Sequence, residues 1–204
     1  MKTQDTTREQ RFLFKKAQKA GDIFEATRRE ILEGKARFMD ADVTHRHDIT
    51  NGAGIYNLLL PTNDKIVGIS DFQGNQLDPG MNVAAGRIKI GYGKAATAGN
   101  PKPQDIVYSS KKGDFPKELL NAKLIVIQDS KTLMKLPVER FTVGADSSKA
   151  QGEEDALALS TLLLLAERKE IKVQLEFHPS QEMPDGADAH FFEVRFIGTQ
   201  TVSK

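Results

Sequence analysis

After residue 48 the apolar residues fall in short runs separated by turn residues, and two of the later runs alternate with polar ones. Ile171, Val173, Leu175 and Phe177 alternate with Lys172, Gln174 and Glu176. Phe192, Val194 and Phe196 alternate with Glu193, Arg195 and Ile197, the last being an apolar lapse. Period 2 places successive side chains on opposite faces, so each run predicts a strand with one buried face. IYNLLL, KIVGI, NVAAGRIKIGYG, AKLIVIQD and LMKLPVERF read as further strands, divided by segments such as PTND and SDFQGNQLDPG. EEDALALSTLLLLAERKEIKVQLEF is harder, because its acidic start and Ala/Leu content favour a helix. It reads better as a strand, a polar turn at Glu167–Glu170 and a second strand, a hairpin that gives the following strand a partner. Short strands without regular intervening helices predict a mainly β chain, an antiparallel β-sandwich or a single jelly roll.

The first 38 residues have a different texture. Thr6 with Glu9, and Asp22 with Glu25, fit the reciprocal capping box, while Gly21 and Gly34 stand where helices end. Helices are therefore expected at about 7–20 and 23–33. At about 100° per residue, Arg8, Arg11, Lys15 and Lys19 share a narrow arc opposite Leu13, Phe14, Ala17 and Ala20. The chain divides into a basic helical arm (1–38), a linker (39–54) and a β body (55–204). Residues 1–20 carry six Lys/Arg against two acids, a net of +4, leaving −3 for the rest of a chain whose total is +1. Arg8, Arg11, Lys15, Lys16, Lys19, Arg28 and Arg29 are the candidate contacts to non-specific nucleic acid or anionic lipid. Glu25, Glu30 and Glu33 dilute the charge on the second helix. Phe12 alone makes no stacking platform, and the plain alternative is a solvated helix face.

Candidate chemistry is sparse. With 39% hydrophobic and 28% charged residues the composition is that of a soluble globular protein. There is no Cys, which removes disulfides, thiolate metal sites and a cysteine nucleophile. No apolar run approaches the roughly 18 residues of a membrane span, and the polar start is not a secretory signal. A protein made and kept in the cytoplasm is the expectation. In DVTHRHDITNGAG, His45 and His47 share one face of an extended chain, while Asp42, Thr44, Arg46 and Asp48 share the other. A cupin-like metal site would use such a pair. However, no acid follows in ITNGAGI, Arg46 intrudes, and His178 and His190 flank what reads as an exposed loop. The stretch is read as the hinge between arm and body, with the two histidines tuning it to mild acid. GYGKAATAGN lacks the spacing of a phosphate loop, and no G-x-S-x-G elbow is present. The acid pairs Glu153/Glu154 and Asp185/Asp188 sit in polar loops. The long loops from Gly93 to Pro116 and from Gly144 to Asp155 are expected to bind or to meet neighbours.

A basic helical arm followed by a β body with long loops is similar to the jelly-roll capsid proteins of small tailless icosahedral viruses. NLLLPTNDKIVGISDFQGNQLDPGMNVAAGRIKIGYG and IKVQLEF with HFFEVRFIGTQT resemble stretches of the virion proteins of tailless bacteriophages, as a pattern of strands and turns over residues 50 to 200. The length leaves room for one jelly roll rather than two. The resemblance implies a structural, non-enzymatic subunit without cofactor that assembles with itself and with other virion proteins. It would be made in the host cytoplasm and reside in the virion, its arm facing the genome or an internal membrane. Two rivals stand beside it. One is a non-catalytic β-sandwich module binding protein or carbohydrate, for which the lack of Trp is unfavourable. The other is the cupin-like metalloenzyme built on His45 and His47.

Overall fold

The structure, a computed structural model, describes residues 6–144, 155–184 and 186–202. Two antiparallel four-stranded sheets dominate it. Strands β1 (Arg37–Asp48), β3 (Val83–Ala96), β6 (Leu157–Leu165) and β8 (Asp188–Val202) form one sheet in the order β1-β8-β3-β6. The other runs β2-β7-β4-β5, with β2 (Ile55–Asn57), β4 (Lys123–Gln128), β5 (Lys131–Pro137) and β7 (Ile171–Glu176). Both sheets contribute to one apolar core: Val43, Ile88, Ile90, Val194 and Phe196 from the first, and Leu124, Val126, Val173 and Leu175 from the second. Phe72, from the long segment between β2 and β3, plugs one side. Its ring meets Phe196 edge-on at 6.5 Å and His45 edge-on at 6.2 Å.

The alternation in Ile171–Glu176 has its expected consequence, each odd residue being buried and each even one half-buried. Asp129 and Ser130 both take positive φ, the requirement of a two-residue turn that matches strand twist, and they close the β4–β5 hairpin. Other expectations are corrected. Leu157–Leu165 and Ile171–Glu176 are both strands but not a hairpin: the Glu167–Glu170 turn crosses between sheets, β6 pairing with β3 and β7 with β4 and β2. Buried hydrogen bonds hold that crossing. Glu167 accepts from the Gly80 backbone N–H at 2.6 Å and from the Asn82 amide at 3.0 Å. KIVGI is not a strand; it folds back on itself with an Ile66–Ser70 bridge and positive φ at Gly68.

The largest correction concerns residues 39–54. Arg37–Asp48 is no hinge but a twelve-residue edge strand, paired antiparallel with β8 along its whole length. Its inward positions are Ala41, Val43 and His45, too small or too polar to announce a strand by hydrophobicity.

Helices α1 (Arg8–Ala17) and α2 (Glu25–Leu32) form as expected, a little shorter, with Gly21 and Gly34 at positive φ beyond their ends. The α1 cap is Thr7 with Gln10, one residue later than expected. Asp22 pairs instead with Lys16 at 3.1 Å, and α2 has no side-chain cap. Leu13, Ala17, Ile23 and Ile31 bury themselves against Ala84, Leu164 and Ala166 on the outer face of the first sheet. A short helix, α3 (Lys117–Leu120), precedes β4.

Candidate functional site

The seven basic candidates are divided by this docking. Arg8 reaches the exposed edge of β6, donating to the Ser160 carbonyl at 2.7 Å, and so blunts that edge against pairing. Lys16 is held by Asp22 and lies over the Phe12 ring. Arg28 donates to the Ala17 carbonyl at 2.8 Å and pairs with Glu25, which also takes Arg29. Arg11, Lys15, Lys19 and Arg29 are exposed.

His45 and His47 do share the inward face of β1, as their spacing predicts, but the outcome is a core contact. His45 is buried. Its Nε2 lies 2.8 Å from the Leu58 carbonyl, which only accepts, so Nε2 carries the proton; Nδ1, 3.1 Å from Ser70 Oγ, accepts from that hydroxyl. Both ring nitrogens are thus engaged within the protein. Burial pulls its pKa down to about 4, partly opposed by the Leu58 bond, and burial also lowers that of His47. Among the described residues no three His, Asp or Glu converge as a metal cluster. His190, expected in an exposed loop, is buried in β8, with Nδ1 2.6 Å from the Tyr92 hydroxyl. Glu153, Glu154 and Asp185 lie outside the described residues, as does most of the Gly144–Asp155 loop. Asp188 pairs with Lys94 at 2.8 Å, which holds its carboxyl below the usual range.

A broad concavity lies on the outer face of the first sheet, between two covers. At one end are α1 and α2. At the other, residues 103–109 form a strap across β3 and β8, where Ile106 and Tyr108 pack on Ala95, Ala189 and Phe191. The strap comes so close because β3 carries Gly91 and Gly93. A Cβ on Gly93 would stand 2.4 Å from Ile106 Cγ2 and 2.6 Å from the Val107 carbonyl. Ser109 exchanges both backbone hydrogen bonds with Tyr92 and fixes the strap's far end.

Between the covers lies a trough of about 880 Å³. Its floor is charged: β1 supplies Asp40, Asp42 and Arg46, β3 supplies Arg87 and Lys89, β8 supplies Glu193 and Arg195, and Asp155 stands at the β6 side. Strand register orders these charges. Arg46 stands opposite Glu193, Lys89 opposite Arg195, and Arg87 opposite Ile197. Three cations thus sit together at the centre with carboxylates around them. Arg46 meets Glu193 at 2.6 Å, donates to the Gly68 carbonyl and lies over the Tyr108 ring at 4.8 Å. Arg195 binds Asp42 through both carboxylate oxygens, and burial draws its guanidinium below the ordinary value. Lys89 is nearly buried, yet its closest described carboxylate, Asp155, is 3.7 Å away, beyond hydrogen-bond reach. Burial raises the Tyr108 phenol.

None of the trough's charged residues was among the seven basic candidates, although the loops expected to bind or to meet neighbours supply its strap and Asp155. The signal was present as outward-facing charges on three alternating strands; what was missing was the register that brings β1, β8 and β3 side by side. Ile197, the apolar lapse in the pattern, lines the trough and is 8% exposed, because β8 is a central strand covered on both faces.

No protein-family model, no curated protein and no solved structure matches the chain.

Proposed function

We propose that the two sheets form a single jelly roll and that the chain is a self-assembling capsid subunit, its helical arm on the face turned to genome or internal membrane. The observation that carries the fold reading is the strand order. β1 pairs with β8, β2 with β7, β3 with β6 and β4 with β5, all antiparallel. That is one long antiparallel ribbon of four strand pairs. Rolling it so that β8 meets β3 and β7 meets β4 yields the order β1-β8-β3-β6 against β2-β7-β4-β5. An eight-stranded double sheet in this order supports the jelly-roll reading, an architecture used by viral capsids and also by lectins and cupins.

Favouring a shell subunit within that group are two apolar knobs. Val67 is 99% exposed and Val107 86% exposed, with the half-exposed Ile66 beside Val67. Both project from anchored backbone. The Val67 loop is tied to β1 through the Arg46 N–H to the Ile69 carbonyl at 2.8 Å and the Asp71 N–H to Thr44 at 3.0 Å. The Val107 strap is seated on Gly91 and Gly93. Apolar side chains on backbone held in this way lose little freedom when they meet a neighbouring subunit. Solution mass and negative-stain imaging of purified protein test this: shells or discrete rings are expected. A Val67→Asp/Val107→Asp variant should stay folded but shift to monomer. A strict monomer at high concentration and across salt would sink the reading.

A further inference from the structure

We propose that the trough on the outer face of the β1-β8-β3-β6 sheet is a binding site for an anionic saccharide, a sugar carrying a carboxylate or a phosphate. This goes beyond the assembly reading, with which it shares only Val107.

The centre of the trough accounts for the anion. Lys89 and Arg195 are directly opposite on paired strands, an arrangement of like charges that disfavours the empty sheet. Arg87 stands two residues from Lys89 on the same strand face. Asp42 satisfies Arg195 from one side, but the Lys89 ammonium has only Asp155 at 3.7 Å, so no described acceptor lies within its hydrogen-bond reach. A carboxylate or phosphate oxygen between Lys89, Arg87 and Arg195 supplies that acceptor through charge-assisted bonds.

The periphery accounts for the sugar. The trough lining carries four acidic and four basic side chains, so it holds no net charge to attract a polyanion such as nucleic acid. What it offers instead is a set of carboxylates, Asp42 and Glu193 among them, whose lone pairs not taken by Arg195 and Arg46 accept from hydroxyl groups beside the anion-binding spot. Val107 and Ile106, lining the strap end, give apolar surface for the C–H face of a ring. A polyhydroxylated scaffold bearing one anionic group uses all three features; a bare anion uses only the first.

Isothermal titration of the full chain with D-glucuronate, D-glucose 6-phosphate, methyl glucoside, acetate and inorganic phosphate tests the site. D-Glucuronate or D-glucose 6-phosphate should bind at least about tenfold more tightly than methyl glucoside and than the matching bare anion, the worth of one charge-assisted hydrogen bond. Which of the two binds better separates carboxylate from phosphate as the source. Lys89→Met keeps the buried stem and should lose that tenfold, and Arg87→Gln gives an independent second reading. Asp42→Ala should narrow the margin of the sugar acid over the bare anion, because it frees Arg195 for either anion and removes a hydroxyl acceptor. Equal affinity for bare anion and sugar anion would overturn the proposal. So would saturation by none of them, no loss in either cation variant, or displacement of the sugar by a single-stranded oligonucleotide that binds more tightly.

Discussion

The two sheets share strand type and core, but their outer faces differ. On β7 the outward residues Lys172, Gln174 and Glu176 are only half-buried. On β8 the outward set is Phe191, Glu193, Arg195 and Ile197, of which only Arg195 escapes full burial. The helices, the strap and the charged trough all lie on the first sheet's outer face. A plain outer face needs only solvation. A face that is roofed at both ends and left open over a charged floor has had chain committed to it beyond what the core requires, and it is the face to probe for contacts.

On that contrast the helices are part of the fold rather than an appendage. Leu13 and Ile31 are fully buried against the sheet. The double variant Leu13→Ala/Ile31→Ala should therefore lower stability by roughly 5 kcal/mol, given about 3 kcal/mol for each cavity and some shared relaxation. Urea denaturation followed by circular dichroism measures it. A free arm would leave the midpoint of the β transition where it was.

The trough makes the next largest difference. Arg46 is the partner of Glu193, whose side chain is only 5% exposed. Arg46→Ala leaves that carboxylate sunk and unpaired and removes the bond to the Gly68 carbonyl. A loss of about 3 kcal/mol is expected at neutral pH. Adding Glu193→Gln should recover much of it, because the buried charge goes with its partner.

The same contrast explains what could be read from the chain. Ile171–Phe177 was legible because its alternation faces core on one side and water on the other. The helices were legible because glycine ended them and their apolar positions recur at helical spacing. β1 was not, since Ala41, Val43 and His45 are a weak inward row, and strand character came from pairing with β8 over the whole run. KIVGI was the converse: its apolar content looked like a strand, but Ile66 and Val67 are exposed and the Gly68 turn folds it back. The trough was hidden for a third reason. Its charges come from strands far apart in sequence, and only register tells which of them meet.

His45 sharpens the difference between a hinge and a strand. In the fold its pKa is held near 4 by burial, against 6.5 for the exposed group. A depressed folded pKa means that the unfolded chain binds the proton first as the pH falls. The contribution of neutral His45 is present above pH 6.5 and is lost progressively toward pH 4. It amounts to roughly 3 kcal/mol across that window. Urea midpoints at pH 7, 5.5 and 4.5 should fall in that order, and His45→Gln, which does not titrate there, should flatten the slope. Equal slopes in both proteins would place the ring in water, as a hinge would.

The smallest effect belongs to the plain face and serves as the other half of the comparison. Lys172 pairs with Glu170 at 3.5 Å, each side chain nearly half exposed. Solvent screens such a pair, and holding two long side chains in one geometry offsets most of the attraction. Lys172→Ala should change stability by less than about 0.5 kcal/mol and respond little to salt. Both it and Arg46→Ala delete one cation from an outward position, and both break an ion pair. Their expected ratio, several-fold, therefore measures how far the trough side chains are removed from water relative to those of an ordinary sheet surface. Comparable losses in the two variants would mean that the trough floor is as well solvated as the β7 face, and the case for a built site there would fall with it.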